Sequence, residues 1–258
     1  MVPFCIRVQG NFSLKRLTMA KNLIQIAKQL SKEASSINIS DPVMCVYNPL
    51  DYAWKPHRSY LEKYGGGTGR VLLIGMNPGP WGMAQTGVPF GEINAVRDFL
   101  QIEEPVGKPE VEHPKRPISG FSCSRSEVSG RRLWNWAQMR YGTAEDFFNE
   151  FFVWNYCPLC FMEESGKNRT PDKLGLEERG AMFRVCDASL VELNKCLQPS
   201  RVIGIGGFAQ KQAKRALQED NIGTILHPSP ASPMANRGWV PQIEKQFEEM
   251  GISLPIAL

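Results

Sequence analysis

The chain has 258 residues, a formal net charge of +4 and 42% hydrophobic residues. That is enough apolar material for a sizeable core, and the mild basicity admits a nucleic-acid partner without requiring one. No run approaches the ~18 apolar residues of a membrane span, and the opening MVPFCIRVQGNF lacks the apolar core of a secretory leader. A soluble, intracellular protein is expected, with no membrane partner.

Residues 1 to 17 show no clear period and read as a loose arm. Met19 to Ser35 reads as a helix with Leu23, Ile24, Ala27, Leu30 and Ala34 on one face. Asp41 to Tyr64 is aromatic and proline-punctuated, as in an ordered segment wrapped on a domain; His57 within it reads as structural or as a surface contact. Gly65 to Gly69 is a turn. It precedes a strand and has no G-K-[ST], so a phosphate loop is disfavoured.

Val71 to Ile74 is a continuous apolar run, as in a parallel strand covered on both faces. It breaks into Gly75-Met76-Asn77-Pro78-Gly79-Pro80, a stiffened loop at the strand's end. Ile93 to Leu100 reads as a short helix. Gln101 to Ser126 is long, polar and proline-rich; its His113-Pro114-Lys115-Arg116-Pro117 reads as surface loop, with phosphate contact as the alternative. Ser129 is expected to cap a helix carrying Leu133, Trp134 and Ala137, and Thr143 the next one.

Phe151 to Trp154 is a second buried strand ending at Asn155. Thr170-Pro171 opens another helical region, and a long helix runs from about Glu177 to Leu197. Arg201 to Ile205 is a third strand, followed by a helix over Phe208 to Glu219. There Lys211, Lys214 and Arg215 read as a solvated face. Gly223 to Leu226 is a fourth strand, ending at His227-Pro228-Ser229-Pro230. Trp239, Ile243, Phe247 and Met250 line a last helix.

This alternation predicts an α/β fold, three-layer αβα around a mainly parallel four-stranded sheet. One domain is expected overall, with residues 1–40 as an arm and helix packed on a catalytic domain at 41–258. The seven cysteines are odd in number and without framework spacing, hence reduced thiols. Cys157 and Cys160 form a C-x-x-C with no second pair or histidine nearby, so they read as buried side chains; neither metal nor cofactor is expected.

Asn77, Asn155 and His227 each follow a predicted central strand, and each is followed closely by a proline. In a parallel sheet all three emerge at one edge, the usual ligand crevice. No carboxylate and no nucleophile signature joins the set, which argues against acyl transfer. Two carboxamides and an imidazole suit a planar amide-bearing ring whose departure leaves a negative oxygen. Phe90 is placed to stack on it.

Gly75-Met76-Asn77-Pro78-Gly79-Pro80 with Phe90, and His227-Pro228-Ser229-Pro230 with Asn236-Arg237-Gly238-Trp239, resemble the two motifs of the uracil-DNA glycosylase superfamily. The similarity is nearest to its single-strand-selective monofunctional branch. It includes MAQTGVPFGE, EHPKRP, SEVSG and Asn155-Tyr156-Cys157-Pro158-Leu159, and runs from about Asp41 to near the C-terminus. The resemblance implies that Asn77 positions the attacking water, Asn155 pairs with the uracil edge and His227 bonds the uracil carbonyl as charge builds. It implies that Phe90 stacks on the ring and that Met76 and Gly79 supply nearby backbone. Other branches carry an activating Asp where this loop has Asn77. Gly79 leaves room for a 5-substituent, so 5-hydroxymethyluracil should fit.

The segment Pro230 to Trp239 resembles the wedge that enters DNA, with Ala231 where an arginine commonly enters the stack, and the resemblance implies DNA contacts at Pro228, Ser229, Pro230, Ala231, Ser232, Pro233, Met234, Asn236 and Arg237. The implied partner is uracil-containing DNA, single- or double-stranded, with downstream abasic-site repair enzymes possible, and the protein is expected to act as a monomer. The implied location is the nucleus in a eukaryote and the cytoplasm in a bacterium. A non-catalytic module binding damaged or single-stranded DNA is the alternative, and a nucleotide hydrolase built on the glycine-rich turn ranks third.

Overall fold

In α1 (Ile6–Ser35), Leu23, Ala27, Leu30 and Ala34 recur at helical spacing and are buried. The structure, a computed structural model, describes the backbone of residues 6–257 and the side chains from Leu17 on. The helix therefore begins at Ile6 and includes most of the stretch expected to be a loose arm, of which residues 1–5 lie outside the described part. The wrapping segment resolves into β1 (Val43–Tyr47), the single turn α2 (Pro49–Tyr52) and α3 (Trp54–Tyr64). The glycine-rich turn after α3 directs carbonyls inward: Arg70 donates to Gly65 O and Gly67 O, and to Tyr64 O and Phe148 O. A turn whose carbonyls hold a cation offers no N–H cradle for phosphate.

Next come β2 (Val71–Gly75), the turn α4 (Met83–Thr86) and a π-helical turn at Ala95–Phe99. They are followed by α5 (Val128–Tyr141), α6 (Ala144–Glu150) and β3 (Phe151–Asn155). Two short strands, β4 (Cys160–Glu163) and β5 (Asn168–Arg169), precede α7 (Leu176–Leu197). The chain ends with β6 (Arg201–Ile205), α8 (Gly207–Leu217), β7 (Gly223–Ile225), the turn α9 (Pro233–Asn236) and α10 (Trp239–Glu249).

The central sheet has order β3-β2-β6-β7 with every pair parallel, as the sequence predicts. All positions of β2 and β3 are buried, so both faces are covered. Successive side chains of β3 show what covers them. Phe151 meets Trp136 of α5 and Phe247 of α10. Phe152 stacks on Tyr60 of α3, whose hydroxyl donates to Val153 O. A second sheet, β1-β4-β5, is antiparallel and was not expected. It buries Cys45, Cys160 and Met162. Cys157 and Cys160 are buried free thiols.

Two local expectations change. Glu127, not Ser129, caps α5: its carboxylate accepts from Gly130 N–H at 2.6 Å, and Ser129 lies in the first turn. The long passage before α5 is pinned rather than loose. His113 is fully buried, its Nδ1 accepting from Lys115 N–H and its Nε2 donating to Glu164 O. Thr143 does cap α6 through Asp146 N–H.

His57 is structural rather than a surface contact. It is 1% exposed, and its Nδ1–H donates to Gly87 O at 2.7 Å. Burial pushes its pKa down to about 4. An unfolded His titrates near 6.5, so between the two values the unfolded chain holds a proton that the folded chain refuses. This contribution is present above pH 6.5 and is lost as the pH falls toward 4; it amounts to roughly 3 kcal/mol. Urea unfolding of His57→Gln should show a shallower loss of stability between pH 6.5 and 4 than the parent; equal slopes would count against the assignment.

Candidate active site

The site begins with strand register. Gly75 of β2 stands opposite Asn155 of β3. The parallel pairing continues past both strands: Tyr156 N–H donates to Gly75 O and Cys157 N–H to Met76 O, each at 2.9 Å. The loops carrying Asn77 and Asn155 are thus laced together where they leave the sheet. Asn77 Nδ2–H donates to Leu159 O at 3.1 Å, which turns Oδ1 out as an open acceptor. Asn168 of β5 donates to Pro78 O at 2.9 Å and fixes the loop from its other side.

Gly75 also explains how Asn155 and Phe90 come together. A β-carbon there would lie 2.6 and 2.9 Å from Phe90 ring carbons and closer still to Asn155 Oδ1. No side chain fits. Asn155 is 5% exposed, and its Nδ2 faces Met83 Sδ, a weak acceptor at 3.2 Å. Its hydrogen-bonding capacity is therefore largely unspent. Phe90 has φ +53°, a costly conformation for an aromatic residue. Trp134 Nε1–H holds its carbonyl at 3.0 Å, and Gly130 lets α5 approach that same carbonyl; a β-carbon at Gly130 would collide with it.

His227 follows β7. Its Nδ1 accepts from Ser229 N–H at 3.1 Å, so the proton belongs on Nε2. Burial lowers its pKa to about 4, which keeps the ring neutral near pH 7. The ring lies 6.1 Å from that of Phe90.

These groups meet in one cavity of about 470 Å³. Asn77, Asn155, His227 and Phe90 line it, with Met76 and Gly79 beside them. Ser229, Ala231 and Ser232 from the second motif form its rim. Among the described residues no cluster of His, Cys, Asp and Glu is arranged to hold a metal.

The family model of the uracil DNA glycosylase superfamily matches residues 62–249. The chain belongs to the uracil-DNA glycosylase superfamily. Its reaction class is hydrolysis of an N-glycosidic bond. It is 44% identical over 243 residues to the single-strand selective monofunctional uracil DNA glycosylase of Mus musculus, a match covering 93% of this chain and 87% of the relative. The enzymes of that name from Rattus norvegicus and Bos taurus match equally, at 44% over 243 residues, with 93% of this chain and 87% and 89% of theirs covered. The crystal structure of SMUG2 from Pedobacter heparinus superposes with a TM-score of 0.63 at 16% identity, over 88% of this chain and 97% of the other; that likeness speaks to the fold.

The glycosylase also presents side chains that sequence reasoning missed. A carboxylate does belong to the cavity: Glu127 lines it, beside Gly79 and Gly82. Burial pushes its carboxyl pKa up, while the Gly130 N–H it caps pulls the other way. It is the glutamate of the SEVSG motif, but only the fold shows that the start of α5 faces the pocket. Asn168 and Thr170 line the cavity too, brought there by the second sheet.

The rest of the second motif lies outside the cavity wall. Pro228 is buried, and Pro230, Pro233, Met234, Asn236 and Arg237 are exposed. Ser232 caps α9 through Ala235 N–H. Arg132 of α5 donates to Pro228 O at 3.0 Å and to Asn236 Oδ1 at 2.9 Å, and Asn236 Nδ2 donates to Pro230 O at 2.8 Å. The loop after His227 is thus clasped onto α5.

Gly75→Ala tests the packing. The added carbon must displace Phe90 or Asn155, so the expected outcome is loss of uracil release by at least about 100-fold with a stability cost of about 1–3 kcal/mol, the usual range for overpacking. Near-parental turnover in a folded variant would contradict the geometry.

Proposed function

We propose that the chain excises uracil from DNA, with preference for single strands, and leaves an abasic site. What supports this most is the convergence of Asn77, Asn155, Phe90 and His227 on one cavity, whose volume is in the range of small-molecule sites. The names of the curated relatives point the same way.

The base cannot be reached inside a stack, so it is flipped out; glycosylases are among the general examples of such enzymes. Asn155 pairs with its amide edge and Phe90 lies against its face. Asn77 Oδ1 accepts a hydrogen bond from the water that attacks C1′. A carboxamide cannot take that proton, so the water is oriented rather than deprotonated. The bond from C1′ to the base breaks with both electrons leaving on the base. His227, neutral and protonated at Nε2, donates to the carbonyl where that charge collects. The water's hydroxyl ends on C1′, and its proton is released to solvent or the departing base. Among the described residues no lysine lines the cavity, so the proposed reaction runs through water and not through a Schiff base.

Gly79 leaves space beside the ring, and 5-hydroxymethyluracil is proposed as a further substrate. Thymine is disfavoured because its methyl would displace water without replacing its hydrogen bonds. Double-stranded DNA is proposed as the poorer substrate because Ala231 offers no long side chain to fill the stack. Action as a monomer, with hand-over of the abasic product to downstream repair enzymes, completes the reading.

His227→Leu should lower single-turnover uracil release by about 100-fold or more, the scale of losing one oxyanion donor, while DNA binding is kept. Asn77→Ala should behave alike. Binding without release by the parent protein would instead favour a non-catalytic module. Ala231→Arg should raise activity on U:A and U:G duplexes relative to single strands; an unchanged ratio would remove Ala231 from the account of strand preference.

A further inference from the structure

Trp81 lies in the Asn77 loop, between Gly79 and Gly82, and is half-buried. Two guanidinium groups sit over its indole: that of Arg116 is 5.1 Å from the ring centroid and that of Arg125 is 5.7 Å. Arg116 comes from the pinned passage before α5. Its backbone carbonyl accepts from Tyr47 Oη at 2.7 Å, and the same hydroxyl accepts from His113 N–H at 2.7 Å. Room for its guanidinium is kept by Gly166, where a β-carbon would come within 3.3 Å of it. Arg125 is exposed and stands two residues before Glu127 of the cavity wall. Both guanidinium groups therefore sit on the loop that also carries Asn77 and Gly79, next to the cavity but not in its wall.

The shared indole sets them apart; in having no ion pair among the described residues they resemble Arg132, Arg179, Arg184, Arg201 and Arg237. Arg58, Arg97, Arg140, Arg169 and Arg215 each hold a carboxylate. Among the described residues no carboxylate pairs with Arg116 or Arg125; the Arg116 guanidinium donates to the Lys115 carbonyl next to it, while its backbone N–H donates to His113 O. The indole brings together two cations that would otherwise repel. It holds them by cation–π attraction while leaving N–H edges unspent. A guanidinium so held is pre-organised for the oxygens of a phosphate. A base is a poorer occupant, because stacking on Trp81 requires a cation to be displaced.

We propose that Trp81, Arg116 and Arg125 form a clamp for backbone phosphate of the DNA strand beside the extruded nucleotide. The clamp grips one strand next to the pocket and makes no demand on a second. A single strand bends into it freely, whereas a duplex must first be deformed. This proposal rests on the reading that the cavity takes an extruded pyrimidine.

The test uses the full chain and a single-stranded oligonucleotide carrying 2′-fluoro-deoxyuridine, a non-cleaved analogue, with affinity followed by fluorescence anisotropy across a salt series. Each phosphate contact contributes about 0.7 to the slope of log affinity against log salt for single strands. The Arg116→Ala, Arg125→Ala double variant should lose about 1 to 1.4 from that slope and bind about tenfold or more weakly at low salt. Lys195→Ala, an exposed charge near the opposite edge of the sheet, should leave the slope as it is. Trp81→Ala should weaken binding with both arginines present, and Trp81→Phe should restore much of it. A double variant of unchanged melting temperature that keeps the parental slope and affinity overturns the clamp. Uracil release by the parent is measured alongside: release with an unchanged slope sinks the clamp alone, while a lowered slope without release sinks the excision reading alone.

Discussion

The parallel pairing of β2 with β3 is the constraint on which the site depends. It sets Gly75 opposite Asn155 and then runs on for two more hydrogen bonds, to Cys157 N–H. A slip of one residue would turn every side chain of the strand to the other face. Asn77 and Asn155 would then leave the sheet at different heights, and the space above Gly75 would close. Buried positions on both faces of both strands make that slip costly, so hydrophobic burial fixes the placement of two carboxamides.

The electrostatics of the pocket derive from the same burial. His227 is kept neutral by desolvation, and its tautomer is set by one backbone N–H. Asn77 is oriented by a backbone carbonyl, and Glu127 is occupied by the helix start it caps. Asn77 and His227 are thus dipoles held in place by main chain. Such dipoles do not reorganise as charge moves onto a leaving base, the condition under which donors contribute most to a barrier.

Much of this was legible in the sequence. The four parallel strands announced themselves as short apolar runs ending in Asn, His, Gly and Pro, and the three site residues stand directly at or just beyond the ends of those runs. Composition and periodicity do not carry long-range pairing, and there the sequence was silent. β4 and β5 are too short to show a period, yet their sheet brings Asn168 and Thr170 to the pocket. Glu127 stood in the SEVSG stretch with no role read for it, because the direction in which α5 points is set by tertiary packing such as that of Trp136 on Phe151. The N-terminal boundary was misplaced because Gly10 and Asn11, poor helix formers, interrupt the stretch before Met19, although the apolar Val8, Phe12, Leu14 and Leu17 lie there.

Helix α5 touches the site in three ways. Its cap Glu127 is part of the wall, Trp134 holds the Phe90 carbonyl, and Arg132 clasps the loop that comes after His227. One rigid rod therefore serves Phe90, the His227 loop and the side next to Gly79 together. A shift of that rod along its axis would move all of them at once. Adapting this pocket to a larger or differently substituted base is consequently a concerted problem, and single replacements along α5 should act on several recognition features together rather than on one.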